Sequence, residues 1–203
     1  MTVLDEDGDL ELLIGEAESR FKVCAAAMRR ASRVWKRMLS NDWAERRPTD
    51  GEPWVVALPD DYPEIMAILL ALAHARFCFV PNSFDLHTIY ELLIAVDRYE
   101  THELIRPYVN SWTRVLEDAH KSKVLTDKLN PIFATYSAYM LGNENLFMDG
   151  VLWLTRNIGI NEAGSVSLLA DGWVELNSVL HLGPQDLIGK KHPVLVDETG
   201  ETY

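Results

Sequence analysis

Apolar residues begin in short alternating runs and then change period. Leu10 to Ile14 and Arg20 to Val23 are rich in apolar and β-branched residues and flank Gly15-Glu16-Ala17-Glu18-Ser19, a pattern that predicts a hairpin. Between Ala25 and Leu39 the apolar residues Met28, Ala31, Trp35 and Leu39 recur at three- and four-residue steps, which predicts one α-helix with a single core stripe. On that wheel Arg29, Arg30, Arg33, Lys36 and Arg37 gather on the opposite side. Pro48 to Pro53 reads as a loop, and Trp54 to Leu58 alternates as a third strand.

From Asp60 onward the punctuation is helical. Asp60 or Asp61 is placed to cap a helix from Pro63 to about Ala75, with Pro63 in the first turn. Asp85 opens another whose Leu86, Ile89, Tyr90, Leu93 and Val96 face the core. Pro107 separates a short helical turn, Thr101 to Ile105, from a helix lined by Trp112, Val115 and Leu116. Asn130-Pro131, Gly142, Asn143 and Gly159 start and stop two more helices, and Leu168 to Leu180 offers a further apolar face. Tyr99, Trp112, Phe147 and Trp153 join the core at helical spacing, whereas Gly183 to Tyr203 reads as a tail with little periodicity.

The composition of the 203 residues is that of a folded globular protein, 48% hydrophobic and 25% charged. No apolar run nears the roughly 20 residues that cross a bilayer, and acids fill Met1 to Asp9 where a secretory signal would be basic and then apolar. The two cysteines, Cys24 and Cys78, sit in apolar surroundings, which predicts buried thiols and a cytoplasmic or nuclear protein. A net charge of −12 speaks against general nucleic-acid affinity. Position matters more than the sum. Arg20 to Arg47 holds nine bases and two acids, a local charge of +7 that leaves −19 for the remainder.

The order of these elements is similar to BTB/POZ domains. Asp9 to Gly15, Phe21-Lys22-Val23-Cys24, and Met28 to Leu39 with Ser32, Trp35 and Met38 resemble the opening strands and first helix of that family. The strand at Trp54 to Leu58 and the stretch Leu92 to Tyr99 with Leu104 come in the same order. Ala73-His74-Ala75-Arg76-Phe77, Val80-Pro81, Tyr99 and Arg106 to Trp112 resemble BTB proteins of filamentous fungi, as does Ala138-Tyr139-Met140-Leu141-Gly142 with Phe147. The resemblance implies an α+β fold: a small β-sheet of about three strands packed with a cluster of α-helices over residues 8–118, an all-helical extension over 119–182, and a tail over 183–203. It also implies a non-enzymatic protein-protein interaction module, an adaptor or scaffold. Trp43-Ala44-Glu45 matches the hydrophobic-x-Glu triplet that BTB adaptors offer to a cullin-type ubiquitin-ligase scaffold. Where animal relatives have a histidine and a base this chain has Cys24 and Ala25, and eight residues precede Asp9, so a homodimer built by strand exchange is not expected. Contact between copies through the first helix stays open.

The chemistry-bearing residues fit that picture. No phosphate loop, nucleophile elbow or paired Cys-x-x-Cys is present, and no catalytic, cofactor or metal residue is assigned. His74 and Cys78 stand four apart but read as core packing, and Asp5, Glu6, Asp7 and Asp9 read as a solvated acidic tail rather than a calcium loop. The basic set Arg29, Arg30, Arg33, Lys36 and Arg37 either faces water or docks an acidic protein or a second copy; nucleic acid is the least favoured reading, because no aromatic residue interleaves the bases. Trp43 either folds back over Met38 or Leu39 or anchors a partner together with Glu45. A small hydrolase or metal enzyme with an unrecognised site is the alternative from another class.

Overall fold

The computed structural model describes residues 1–40, 43–121, 130–160, 166–168 and 174–175, and the chain divides into two compact units, Met1–Trp112 and Thr113–Tyr203. The architecture is α+β.

In the first unit β1 (Thr2–Val3), β2 (Leu10–Ile14), β3 (Ser19–Val23) and β4 (Val55–Leu58) form one sheet in the order β1-β3-β2-β4. The predicted hairpin pairs Leu10 with Val23 and Ile14 with Ser19, and β4 returns parallel to β2 with Leu12 opposite Val56. Leu10, Leu12, Ile14, Phe21, Val23 and Val56 all turn to the buried face, the side-chain period of two expected of a sheet covered on one side. The sheet has four strands rather than about three. β1 is two residues long, too short to show a period in the sequence, and pairs parallel with β3, with Leu4 buried beside it. The acidic stretch is therefore built into the fold: Asp9 accepts the Ala25 N–H (2.9 Å) and pairs with Arg47 (3.6 Å), so it is no solvated tail.

The largest departure lies in the first helix. The segment forms α1 (Ala25–Ala31) and α2 (Arg33–Met38), interrupted at Ser32, whose backbone is extended at φ −143° and ψ 132°. The Ser32 hydroxyl accepts the Trp35 N–H (2.9 Å) and donates to the Tyr99 carbonyl (2.5 Å). A short side chain that bonds the backbone on both sides competes with helical geometry, and here it caps the second helix at the expense of the first. Met28, Trp35 and Leu39 still reach the core, and the Trp35 ring lies 5.1 Å from that of Tyr99.

α3 (Pro63–Ala73) and α4 (Leu86–Arg98) pack together, with Ile89, Tyr90, Leu93 and Val96 buried as predicted and Leu86 half-buried. Asp85 caps α4 by accepting the Thr88 N–H (2.7 Å). α3 is entered differently from expectation. Its N-cap is Tyr62, with no side-chain cap, because Asp61 is committed elsewhere: it takes Arg98 at 2.6 Å and the Tyr99 hydroxyl. Phe77–Phe79 is one 3-10 turn in which Phe77 and Phe79 are 58% and 52% exposed, and Cys78 is exposed too. The buried thiol expected there is not found, because the turn leaves α3 outward from the core. Cys24 is half-buried. α5 (His102–Ile105) and a 3-10 turn at Arg106–Tyr108 precede α6 (Val109–Lys121), and Trp112 is buried against the rings of Phe84 (5.7 Å) and Tyr108 (5.7 Å).

In the second unit α7 (Asn130–Met140) and α8 (Glu144–Asn157) form a helical hairpin. Gly142 takes φ +72° at the turn, and the Asn143 side chain accepts the Leu146 N–H (3.1 Å), as the start and stop signals predict. The close approach is at Gly150, where a Cβ would stand 2.1 Å from the Thr135 hydroxyl oxygen. The extension is not all helical. β5 (Ile158–Ile160) continues straight from α8 through Gly159, and β6 (Val166–Leu168) and β7 (Val174–Glu175) complete an antiparallel sheet. Apolar runs of two or three residues cannot separate strand from helix by period, so Leu168, which the sequence places on a helical face, lies on a strand instead. The tail at residues 183–203 lies outside the described residues. Phe147 and Trp153 are half-buried, Phe147 against the Tyr139 ring (5.6 Å), while Tyr99 and Trp112 are core.

Candidate functional site

The interruption at Ser32 changes what the basic residues build. On one straight helix they would form a convex stripe. With α2 turned away from α1, Arg29 and Arg30 on α1 and Arg33 and Lys36 on α2 instead line one open concavity of about 850 Å³. Glu100, Glu103 and Leu104 form its other side, with Ser32 and Ser40 between.

Two local arrangements hold this geometry. At the start of α1, the Cys24 N–H donates to Nε2 of His74 (2.9 Å), and Nδ1 of His74 meets the Leu70 carbonyl (2.8 Å). Accepting on Nε2 requires the proton on Nδ1, so the imidazole links α1 to α3 and both its nitrogens are engaged. At the far end of α4, Glu100 sits at φ +50° just past the helix, and the Thr101 N–H reaches back to the Val96 carbonyl (2.9 Å). This left-handed helix ending aims Glu100 at Arg37, 3.6 Å away.

The acids of the concavity are thus already engaged: Glu100 with Arg37, Glu103 with Arg106 (3.7 Å). Arg29, Arg30, Arg33 and Lys36 are exposed, and none has an ion pair or a side-chain hydrogen bond among the described residues. Arg37 stands apart from them through its pairing. Four of the five predicted bases therefore share one surface, and sequence reasoning missed the opposing side, Glu100, Glu103 and Leu104. The available signal was Ser32, a strong N-cap residue inside a predicted helix.

The Trp43 backbone adjoins this surface. Its N–H donates to the carbonyl of Ser40 (3.3 Å), a residue of the concavity, and its indole is 56% exposed. Glu45 behaves differently. Its carbonyl accepts the Trp54 indole N–H (2.7 Å), and its half-buried side chain has Oε2 shielded from water and without a hydrogen-bond partner. The triplet therefore presents its aromatic residue and withdraws its acid.

The second unit has a smaller cavity of about 350 Å³, lined mainly by Leu116, Pro131, Leu146 and Trp153. His120 and Asp149 meet there at 3.7 Å. The Thr135 hydroxyl donates to the Pro131 carbonyl (2.6 Å). Among the described residues no three His, Cys, Asp or Glu side chains group as a metal site, and no helix is long and apolar enough to cross a membrane. No protein-family model matches the chain, and no curated protein matches it.

Proposed function

We propose that the chain is a protein-interaction module of the BTB/POZ kind, an adaptor or scaffold that meets its partner through the α1–α2 concavity and Trp43. The observation that carries this reading is the set of four exposed bases, none of them in an ion pair among the described residues, on one concave face of a protein whose net charge is −12. Charged side chains left unpaired next to abundant acids are a source of steering and partner choice rather than of stability. What supports the family reading is the order of elements: the β2–β3 hairpin, the helical segment from Ala25, the strand β4 and the helix α4 follow one another in the order that the resemblance implies. A cullin-type scaffold is the more specific partner, favoured by the exposure of Trp43.

The test is a photo-crosslinking amino acid placed in cells at Lys36, at Trp43 or, as a reference, at the exposed hairpin residue Glu16. Protein adducts confined to the first two positions are expected. The same adducts at all three positions, or none, would remove the interaction reading. A cullin adduct at Trp43 that is lost with Glu45→Ala identifies the scaffold, and its absence rejects that partner.

A further inference from the structure

We propose that the α1–α2 concavity takes an acidic peptide segment of a partner protein, and that the segment carries an apolar residue at the end that meets Trp43. The inference rests on the interaction reading above and specifies the ligand.

Charge decides the first half. The four bases come from two helices at an angle, so an extended or helical chain lying between them meets positive charge on successive residues rather than at one point. Glu100 and Glu103 oppose this field only in part, because Arg37 (3.6 Å) and Arg106 (3.7 Å), neither of them among the four bases, offset their charge. Guanidinium groups bind carboxylates through paired N–H donors, and a carboxylate ligand supplies the acceptors that the three arginines lack here. Of the lining residues only Ala26, Ala31 and Leu104 are apolar, so the charged side chains decide which ligand is recognised.

The second half comes from continuity. Ser40 belongs to the concavity and its carbonyl accepts the Trp43 backbone N–H, so the Trp43 backbone lies one turn from the basic surface, and its indole is exposed. A buried aromatic anchor beside a charged groove divides the work, the charges setting encounter and register and the ring slowing release.

Two other occupants fit less well. A second copy meeting this face across a two-fold axis would set four bases against the same four. Duplex DNA would gain the four phosphate contacts but meet the field of a −12 protein, with no aromatic residue among the lining groups.

Fluorescence anisotropy on the full chain tests this, with labelled twelve-residue peptides of alternating Asp, Glu and Ser. One version ends in Leu-Phe, one begins with it and one lacks it; a twelve-base-pair duplex is the competitor class. A peptide with the apolar pair is expected to bind at least ~10-fold more tightly than the duplex, and less tightly as salt rises. Arg30→Gln with Arg33→Gln should weaken all acidic peptides by ~10-fold, whereas Trp43→Ala should weaken only the apolar-ended ones, by ~3- to 10-fold. The inference is overturned by unchanged binding in the Arg30/Arg33 variant, by tighter binding of the duplex, or by equal losses for all peptides in Trp43→Ala. Because Gln is a good helix former, the double variant should fold, and circular dichroism checks it. If the peptides fail while Lys36 still crosslinks specifically in cells, the ligand class is wrong and the interaction reading stands; if both fail, both fall.

Discussion

Two clusters of charge in the first unit use the same residue types to opposite ends. Asp61 is buried, with Arg98 at 2.6 Å and the Tyr99 hydroxyl on its two oxygens. Arg29, Arg30, Arg33 and Lys36 lie exposed on the concavity without such partners. The buried cluster joins the entry to α3 with the end of α4, and Tyr99 in turn supports Trp35 through its ring and Ser32 through its carbonyl. One group of charges thus supports the Ser32 junction between α1 and α2 through Tyr99, and the other lies on the face beside that junction. A buried carboxylate held by two partners is costly to disturb, even with Arg98 itself 43% exposed, whereas exposed unpaired charges contribute little to folding.

The sharpest way to break the contrast is to remove the shared acid. Asp61→Ala leaves the Tyr99 hydroxyl buried without its acceptor and Arg98 without its counter-ion, and should lower stability by about 2–4 kcal/mol in urea unfolding. Arg30→Gln with Arg33→Gln, measured in the same way, should change it by about 0.5 kcal/mol or less. Equal losses in the two variants would erase the distinction.

A second expectation concerns alkaline solution. Burial first, and then the hydrogen bond and charge of Asp61, push the Tyr99 hydroxyl far above its ordinary value of 10.0. The unfolded chain therefore releases this proton near pH 10 while the folded chain keeps it. The contribution is complete below that pH and is lost as the pH rises beyond it. The stability difference between the protein and Tyr99→Phe, followed by urea unfolding from pH 8 to 11, should shrink or reverse above pH 10. A difference independent of pH would show that the hydroxyl is not held as described.

The smallest effect is expected at Glu100, where the clusters meet. Its φ of +50° strains a residue with a side chain, and its carboxylate occupies Arg37. Glu100→Gly should relieve the strain, raise stability by about 0.5 kcal/mol and tighten the binding of an acidic peptide about twofold. Weaker peptide binding would mean that Glu100 orients the groove rather than opposing its field.

How far the chain can be read from its sequence depends on what each element rests on. The β2–β3 hairpin, β4, α3, α4 and the α7–α8 hairpin rest on local periodicity and end signals such as Asp85, Gly142 and Asn143, and these are legible. The interruption at Ser32 has one local sign, an N-cap residue inside a helical pattern, while its bond to the Tyr99 carbonyl, 67 residues away, has none. Asp61 has the form of a cap but is claimed by Arg98 and Tyr99, a tertiary contact that overrides a local preference. The basic residues of the site are identifiable by charge alone. Their concave arrangement, and the acids facing them, depend on that same distant bond.

The rims of the first sheet carry a consequence for behaviour at high concentration. On one side β1 offers two residues, and on the other β4 is four residues long and lies between Pro53 and Pro59, neither of which has an N–H to donate. Val55 and Ala57 point outward from β4, an apolar border of the sort that invites neighbouring chains to stack in register. The bracketing prolines limit any such zipper to a few bonds. Short edges and flanking prolines thus leave this sheet little free backbone on which a further strand could be templated.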